Sequence, residues 1–176
     1  MRIAVIGPSG SGKTWLSAQL AERLGLRHIE IDALHHGPGW AACGPEELRE
    51  RVMVATEGDG WVSDGTYHQM IGEVVFERVE TVAWLDLPVR LVTWRLLRRT
   101  HRRKKHGTEL WHGNREGPWR ESLRYLIWPS VKRGFENRRR LPPLFARHPG
   151  LSVHRLRSDK HVRDFAATLT DERPMQ

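Results

Sequence analysis

Eight residues, Gly7-Pro8-Ser9-Gly10-Ser11-Gly12-Lys13-Thr14, constrain this chain more than any other stretch, because they fill every fixed position of the pattern G-x-x-x-x-G-K-[S/T]. Glycines let the backbone turn with its N–H groups pointing inward, where they and the N-terminus of the next helix cradle phosphate oxygens. Lys13 would neutralise the β- and γ-phosphates of a nucleoside triphosphate, and Thr14 would ligate Mg²⁺. Such a loop needs a strand before it and a helix after it. The apolar run Arg2-Ile3-Ala4-Val5-Ile6 supplies the first, and Leu16, Leu20 and Leu24, on one face, supply the second.

At 176 residues the chain has the size of one domain, expected to span residues 1–176. Alternating strand and helix signals continue to the end. Strands are expected at Arg27–Asp32, Gly60–Gly65, Thr81–Pro88 and Leu151–Leu156, and helices open at Pro45, at Pro88, from Trp119 to about Arg138, and after Ser158. Pro142-Pro143 is expected to close the third of these. The fold expected is therefore α/β: a five-stranded parallel sheet with helices on both faces, its site at the carboxyl ends of the strands. No run approaches the 18 apolar residues of a membrane span, and no charged leader precedes the first strand. A soluble, cytoplasmic monomer or small homo-oligomer is expected. The single cysteine, Cys43, excludes an internal disulfide and reads as an ordinary loop thiol.

Formal charge is +8, and it is concentrated. Residues 90–140 hold 16 Lys and Arg against four Glu, a local excess of +12, while the remainder carries −4. Such a cluster wants a polyanion, either the triphosphate or nucleic acid. Arg95 and Arg99 share a helix face, and Arg115, Arg120 and Arg124 come after a break containing Gly107, Gly113 and Gly117. Two arginine-bearing arms joined by glycines form a helical lid at about 100–120, with Trp111 and Trp119 to pack it. The rival is a basic hairpin docked on nucleic acid, an ATPase switch.

Phosphoryl transfer requires positioning and positive charge more than covalent chemistry. Asp64 ends the third strand, suited to Mg²⁺ opposite Thr14 or to an Asp-Gly turn. Asp32 ends the second strand, where it would orient or deprotonate an acceptor hydroxyl, or cap the residues after it. Asp86 is assigned to capping the helix after Pro88. Adjacent His35 and His36 would diverge by about 100° on a helix, and His101, His106 and His112 read as surface residues rather than metal ligands.

In order along the chain, Gly7–Thr14, Ile31-Asp32-Ala33-Leu34-His35, Asp64-Gly65-Thr66-Tyr67, Trp84-Leu85-Asp86-Leu87-Pro88, Trp94–Arg99 and Thr108–Glu116 resemble the adenylate-kinase-like group of P-loop kinases. They are most similar to the bacterial DNA topology modulation proteins. That resemblance implies a P-loop NTPase fold and a Mg-ATP-dependent phosphotransferase, with lid arginines at Arg95 and Arg99, a returning one at Arg115 or Arg120, and the adenine bordered by Arg157 and Ser158. Its acceptor would bind at 33–59. Nucleoside monophosphate kinases resemble the chain at Asp64-Gly65 but continue with a Pro-Arg pair that grips the acceptor phosphate. Here Thr66-Tyr67-His68 comes next, which leaves open whether the acceptor is a small molecule or a nucleotide and, for a non-nucleotide hydroxyl compound, makes Asp32 the base. The DNA label implies a physiological association; no base-reading motif accompanies it.

Overall fold

A computed structural model describes residues 1–65 and 67–171, without the side chains of Thr170 and Asp171, so Thr66 of the Asp-Gly-Thr-Tyr stretch lies outside the described residues. Five parallel strands, β1 (Arg2–Ile6), β2 (Arg27–Glu30), β3 (Trp61–Asp64), β4 (Thr81–Leu85) and β5 (Ser152–Leu156), form one sheet in the order β2-β3-β1-β4-β5. Strand alternation divides the core in two. Ala4, Ile6, Trp61, Val82 and Trp84 face one cluster, while Ile3, Val5, Val62, Ala83 and Leu85 face the other. Helix α1 (Lys13–Leu24) and helix α8 (Asp159–Asp171) cover the second face. The first is covered by α3 (Pro45–Ala55), α4 (His68–Ile71) and the end of α7 (Trp128–Ala146), reached after α5 (Val89–His106) and α6 (Trp119–Glu121). With β1 between β3 and β4, the loop after β1 opens where connections diverge to opposite sides, the crevice in which open α/β sheets bind ligands.

Several elements differ from expectation. β2 stops at Glu30 and a short helix, α2 (Ile31–His35), begins at once, so Asp32 sits in a helical turn rather than on a strand end. Helical spacing lets Ile31 and His35, four apart, both turn inward, with 2% and 8% exposure. β4 ends at Leu85, and Asp86 caps nothing: the residue flanking α5 is Pro88, without a side-chain cap. Its carboxylate instead accepts from Arg138 Nε at 2.7 Å and from Arg155 Nη2 at 2.7 Å, as a buried charge requires. The helix expected to end near Arg138 passes through Pro142-Pro143 to Ala146. Leu141 and Leu144 are buried in the first core cluster, and burying two leucines at about 1.5–3 kcal/mol each offsets much of the penalty of ~3 kcal/mol for each of the two prolines. A π-helical turn, Ser122–Ile127, joins α6 to α7. Among the described residues no helix is long and apolar enough to cross a membrane.

Candidate functional site

The loop after β1 adopts conformations that its glycines permit. Gly10 has φ +87°, and a Cβ there would lie 2.6 Å from the Val92 carbonyl oxygen, because α5 presses on the loop. Gly12, φ +97°, precedes α1 in the left-handed region with open space around it. Pro8 O accepts from the Ser11 N–H at 3.2 Å and from Lys13 Nζ at 3.3 Å, so the lysine folds back across the loop. Gly7 and Pro8 are buried, Ser9 half-buried, and Thr14 stands exposed in the first turn of α1.

Charge converges on Lys13. Burial lowers its pKa, Asp32 and Asp64 act to raise it, and Arg99 and Arg133 reinforce the lowering. Asp64 closes β3 in register with Val5 and Glu30 and is 2% exposed. His28 Nε2 lies 3.7 Å from its Oδ2, and that oxygen has no hydrogen-bond partner among the described residues. Asp32 accepts a 2.6 Å hydrogen bond from the Tyr67 hydroxyl. Burial first, then Asp32, holds the phenol far above its ordinary pKa, so it stays a donor.

The arginines divide. Arg99 points at the cluster, and burial with help from Arg103 pushes its pKa down to about 10, against Glu116 and Asp32. Arg95, one turn earlier, instead pairs with Asp159 at 2.6 Å, tying α5 to the first turn of α8. Beside it Ser158 Oγ accepts from the His161 N–H at 3.2 Å and caps α8, next to Arg157. Arg115 pairs with Glu109 at 2.6 Å on the surface, with a 64% exposed side chain. Arg120 and Arg124 are exposed, the latter over the Tyr125 ring. Arg133, which sequence reasoning missed, approaches from α7, where a Cβ added at neighbouring Gly134 would lie 3.9 Å from Pro8 Cγ. It acts on Lys13, Tyr67 and His68, is exposed, and has no ion pair among the described residues. One of 16 basic residues in its segment, it carried no distinguishing signal.

The 107–118 loop lies over α2. Trp111 Nε1 donates to Glu30 Oε2 at 3.0 Å, and Arg103 pairs with Glu116 at 3.3 Å. Trp119 stacks on His101 with Lys104 over its ring. His35 and His36 are not splayed: their ring centroids are 4.5 Å apart, because His36 leaves the helix in an extended conformation. Among the described residues no three His, Cys, Asp or Glu form a metal-holding group.

No family model matches the sequence. Its solved-structure neighbours include a shikimate kinase from Acinetobacter baumannii in complex with shikimate, at 20% identity over 96% of this chain and 89% of that one, TM-score 0.55. A sugar kinase from a Janibacter species matches at 19% identity, covering 97% and 94%, with TM-score 0.53. A shikimate kinase from Bacteroides thetaiotaomicron matches at 16% identity, covering 97% and 96%, with TM-score 0.54. The class is thus the P-loop NTPase fold. Within it, the fold is the one these small kinases share.

Proposed function

We propose that the chain is a Mg-ATP-dependent kinase that transfers the γ-phosphate to a hydroxyl of a small anionic acceptor. The observation that carries this reading is a half-buried Lys13 folded onto Pro8 O of a phosphate loop, its charge acted on by two carboxylates and two guanidinium groups. Lys13 would leave Pro8 O for the phosphates, and loop N–H groups from Gly7 to Thr14 would hold them. Asp64 fits a hard cation: its Oδ2 is buried and has no hydrogen-bond partner among the described residues, and Thr14 offers a hydroxyl. When bound, Mg²⁺ neutralises charge on the phosphates. Asp32, fixed by Tyr67, would accept the hydroxyl proton as the acceptor oxygen bonds to phosphorus and the β,γ-bridging oxygen departs with ADP. Arg99 would meet charge on the transferring group, and Arg133, free of an ion pair among the described residues, would meet an anionic group on the acceptor. Segment 33–59 would form the acceptor wall, 100–120 the lid, and Arg95, Arg157 and Ser158 would border the adenine. The solved kinases that share this fold act on small molecules, as their names state.

The resemblance to DNA topology modulation proteins leaves a nucleic-acid-associated role as the second reading. It is weaker because Arg95, Arg103 and Arg138 of the basic segment are taken by Asp159, Glu116 and Asp86. The test is ATP consumption with Mg²⁺ against hydroxylated carboxylates, sugar phosphates and nucleoside monophosphates, with Lys13→Ala as control. Stimulation by one acceptor, abolished in the folded variant, is expected. Hydrolysis indifferent to every acceptor but raised by DNA would overturn the kinase reading.

A further inference from the structure

We propose that Asn114 is a positioning residue that latches the 107–118 loop to the 36–43 loop, so that lid and acceptor wall close as one unit; the catalytic consequence rests on the kinase reading above. Asn114 is 5% exposed. Its Nδ2 donates to Gly37 O at 2.9 Å, and its Oδ1 accepts from the Trp40 N–H at 3.0 Å. The Trp40 indole N–H donates back to Arg115 O at 2.9 Å. Three hydrogen bonds thus join loops more than 70 residues apart in sequence. A primary amide serves both ends of the first pair from two separate atoms, whereas a carboxylate cannot donate and an aliphatic residue does neither.

Two strained residues flank the latch. Trp40 and His112 are the described non-glycine residues with positive φ, +61° and +58°. Such conformations persist where surrounding contacts over-determine them, and Trp40 is held by hydrogen bonds with Asn114 and Arg115 and by the His36 ring. From Trp40 the wall continues by ring contacts through His36 at 5.4 Å, His35 at 4.5 Å and Tyr67 at 5.1 Å, and ends on Asp32 at 2.6 Å. A latch that is either made or broken is a two-state element able to bias both loops. When made, it sets the arm carrying Arg99 and the wall carrying Asp32 together, which holds phosphoryl transfer to water in check until the acceptor is seated.

Amide hydrogen exchange of the full chain, with no ligand added, tests the latch independently of catalysis. In Asn114→Ala, exchange at Trp40 and across 110–115 is expected to accelerate about tenfold or more, with β1 and β4 unchanged; Asn114→Asp, which still accepts from the Trp40 N–H but cannot donate to Gly37 O, gives a smaller acceleration in both loops. Unchanged exchange at Trp40, or acceleration confined to one loop, overturns the proposal. Trp40→Phe, which removes only the bond to Arg115 O, gives a smaller acceleration and serves if the Asn114 variants fail to fold. In the active enzyme, the ratio of acceptor-independent ATP hydrolysis to transfer is expected to rise about tenfold in Asn114→Asp. A proportional loss of both would overturn the positioning role. If no acceptor supports transfer, the kinase reading fails while the exchange result still decides the latch.

Discussion

Tyr67 donates its hydroxyl to Asp32 across 2.6 Å, joining the chain just after β3 to the helix just after β2. A hydrogen bond to a charged acceptor contributes about 1.5–3 kcal/mol. If its role is to aim the carboxylate at an acceptor hydroxyl, Tyr67→Phe lowers kcat by about 10- to 100-fold, a tenfold change corresponding to about 1.4 kcal/mol. The KM for ATP should hold, because on that reading Tyr67 serves the acceptor through Asp32. Steady-state kinetics on both substrates decide it: a rise in the ATP KM with kcat intact would remove Tyr67 from the catalytic step.

Gly10 and Gly12 are both glycines of the loop motif, yet the structure makes them unequal. Gly12→Ala incurs only the left-handed penalty, about 1–2 kcal/mol, since nothing lies within 4 Å of its added Cβ. Gly10→Ala adds a contact 2.6 Å from the Val92 carbonyl and 3.0 Å from Leu96 Cβ, which α5 can relieve only by moving. Its loss should reach about 3–5 kcal/mol, several degrees more in Tm than Gly12→Ala. Equal melting temperatures would show that α5 does not buttress the loop.

Locality decides which features are legible in the sequence. The loop motif, β1, α1, the parallel sheet and the opening of α3 at Pro45 depend on short stretches whose periodicity or capping chemistry is self-contained. Asp32 stands out by position but reads as a strand end, because the inward demand of Ile31 and His35 is a tertiary fact. Asp86 resembles a cap since Leu87-Pro88 comes next; its partners, Arg138 and Arg155, are more than 50 residues away. The same distance hides Arg133, and it separates Arg99 from Arg95, two residues identical in type and face whose roles diverge through Asp159. The latch is invisible in the sequence because Asn114 acts on backbone atoms, which no side-chain pattern records.

Asp86→Ala should be the costliest of the ion-pair variants. It leaves Arg138 and Arg155 facing each other with no anion between them, and removing one partner of a buried pair costs about 3–5 kcal/mol. Both guanidiniums are about one-third exposed, with side-chain exposures of 36% and 35%, so water relieves part of that; about 2–3 kcal/mol is expected. Arg138→Met should lose less, since Arg155 still pairs with Asp86 from over the Trp84 ring. Chemical denaturation of the two variants tests the order, and a greater loss in Arg138→Met would reverse the assignment.

His68 offers a test through pH. Burial lowers its pKa, Arg140 and Arg133 lower it further, and Glu73 opposes them. A folded-state pKa below the unfolded value means that the unfolded chain binds more protons between the two, so stability rises with pH across that window. The contribution is complete above the unfolded value of about 6.5 and is lost as pH falls through the window. His35 and His36, lowered mainly by burial, act in the same sense. His28, raised chiefly by the Asp64 carboxylate beside it, acts in the opposite sense and offsets part of the loss. Wild-type Tm should therefore fall between pH 7.5 and 5.5. Gln at position 68 keeps polar atoms but cannot titrate, so the fall should be shallower in His68→Gln. Parallel Tm profiles for the two proteins would mean that His68 has the same pKa folded and unfolded, and that neither burial nor the two arginines bear on it.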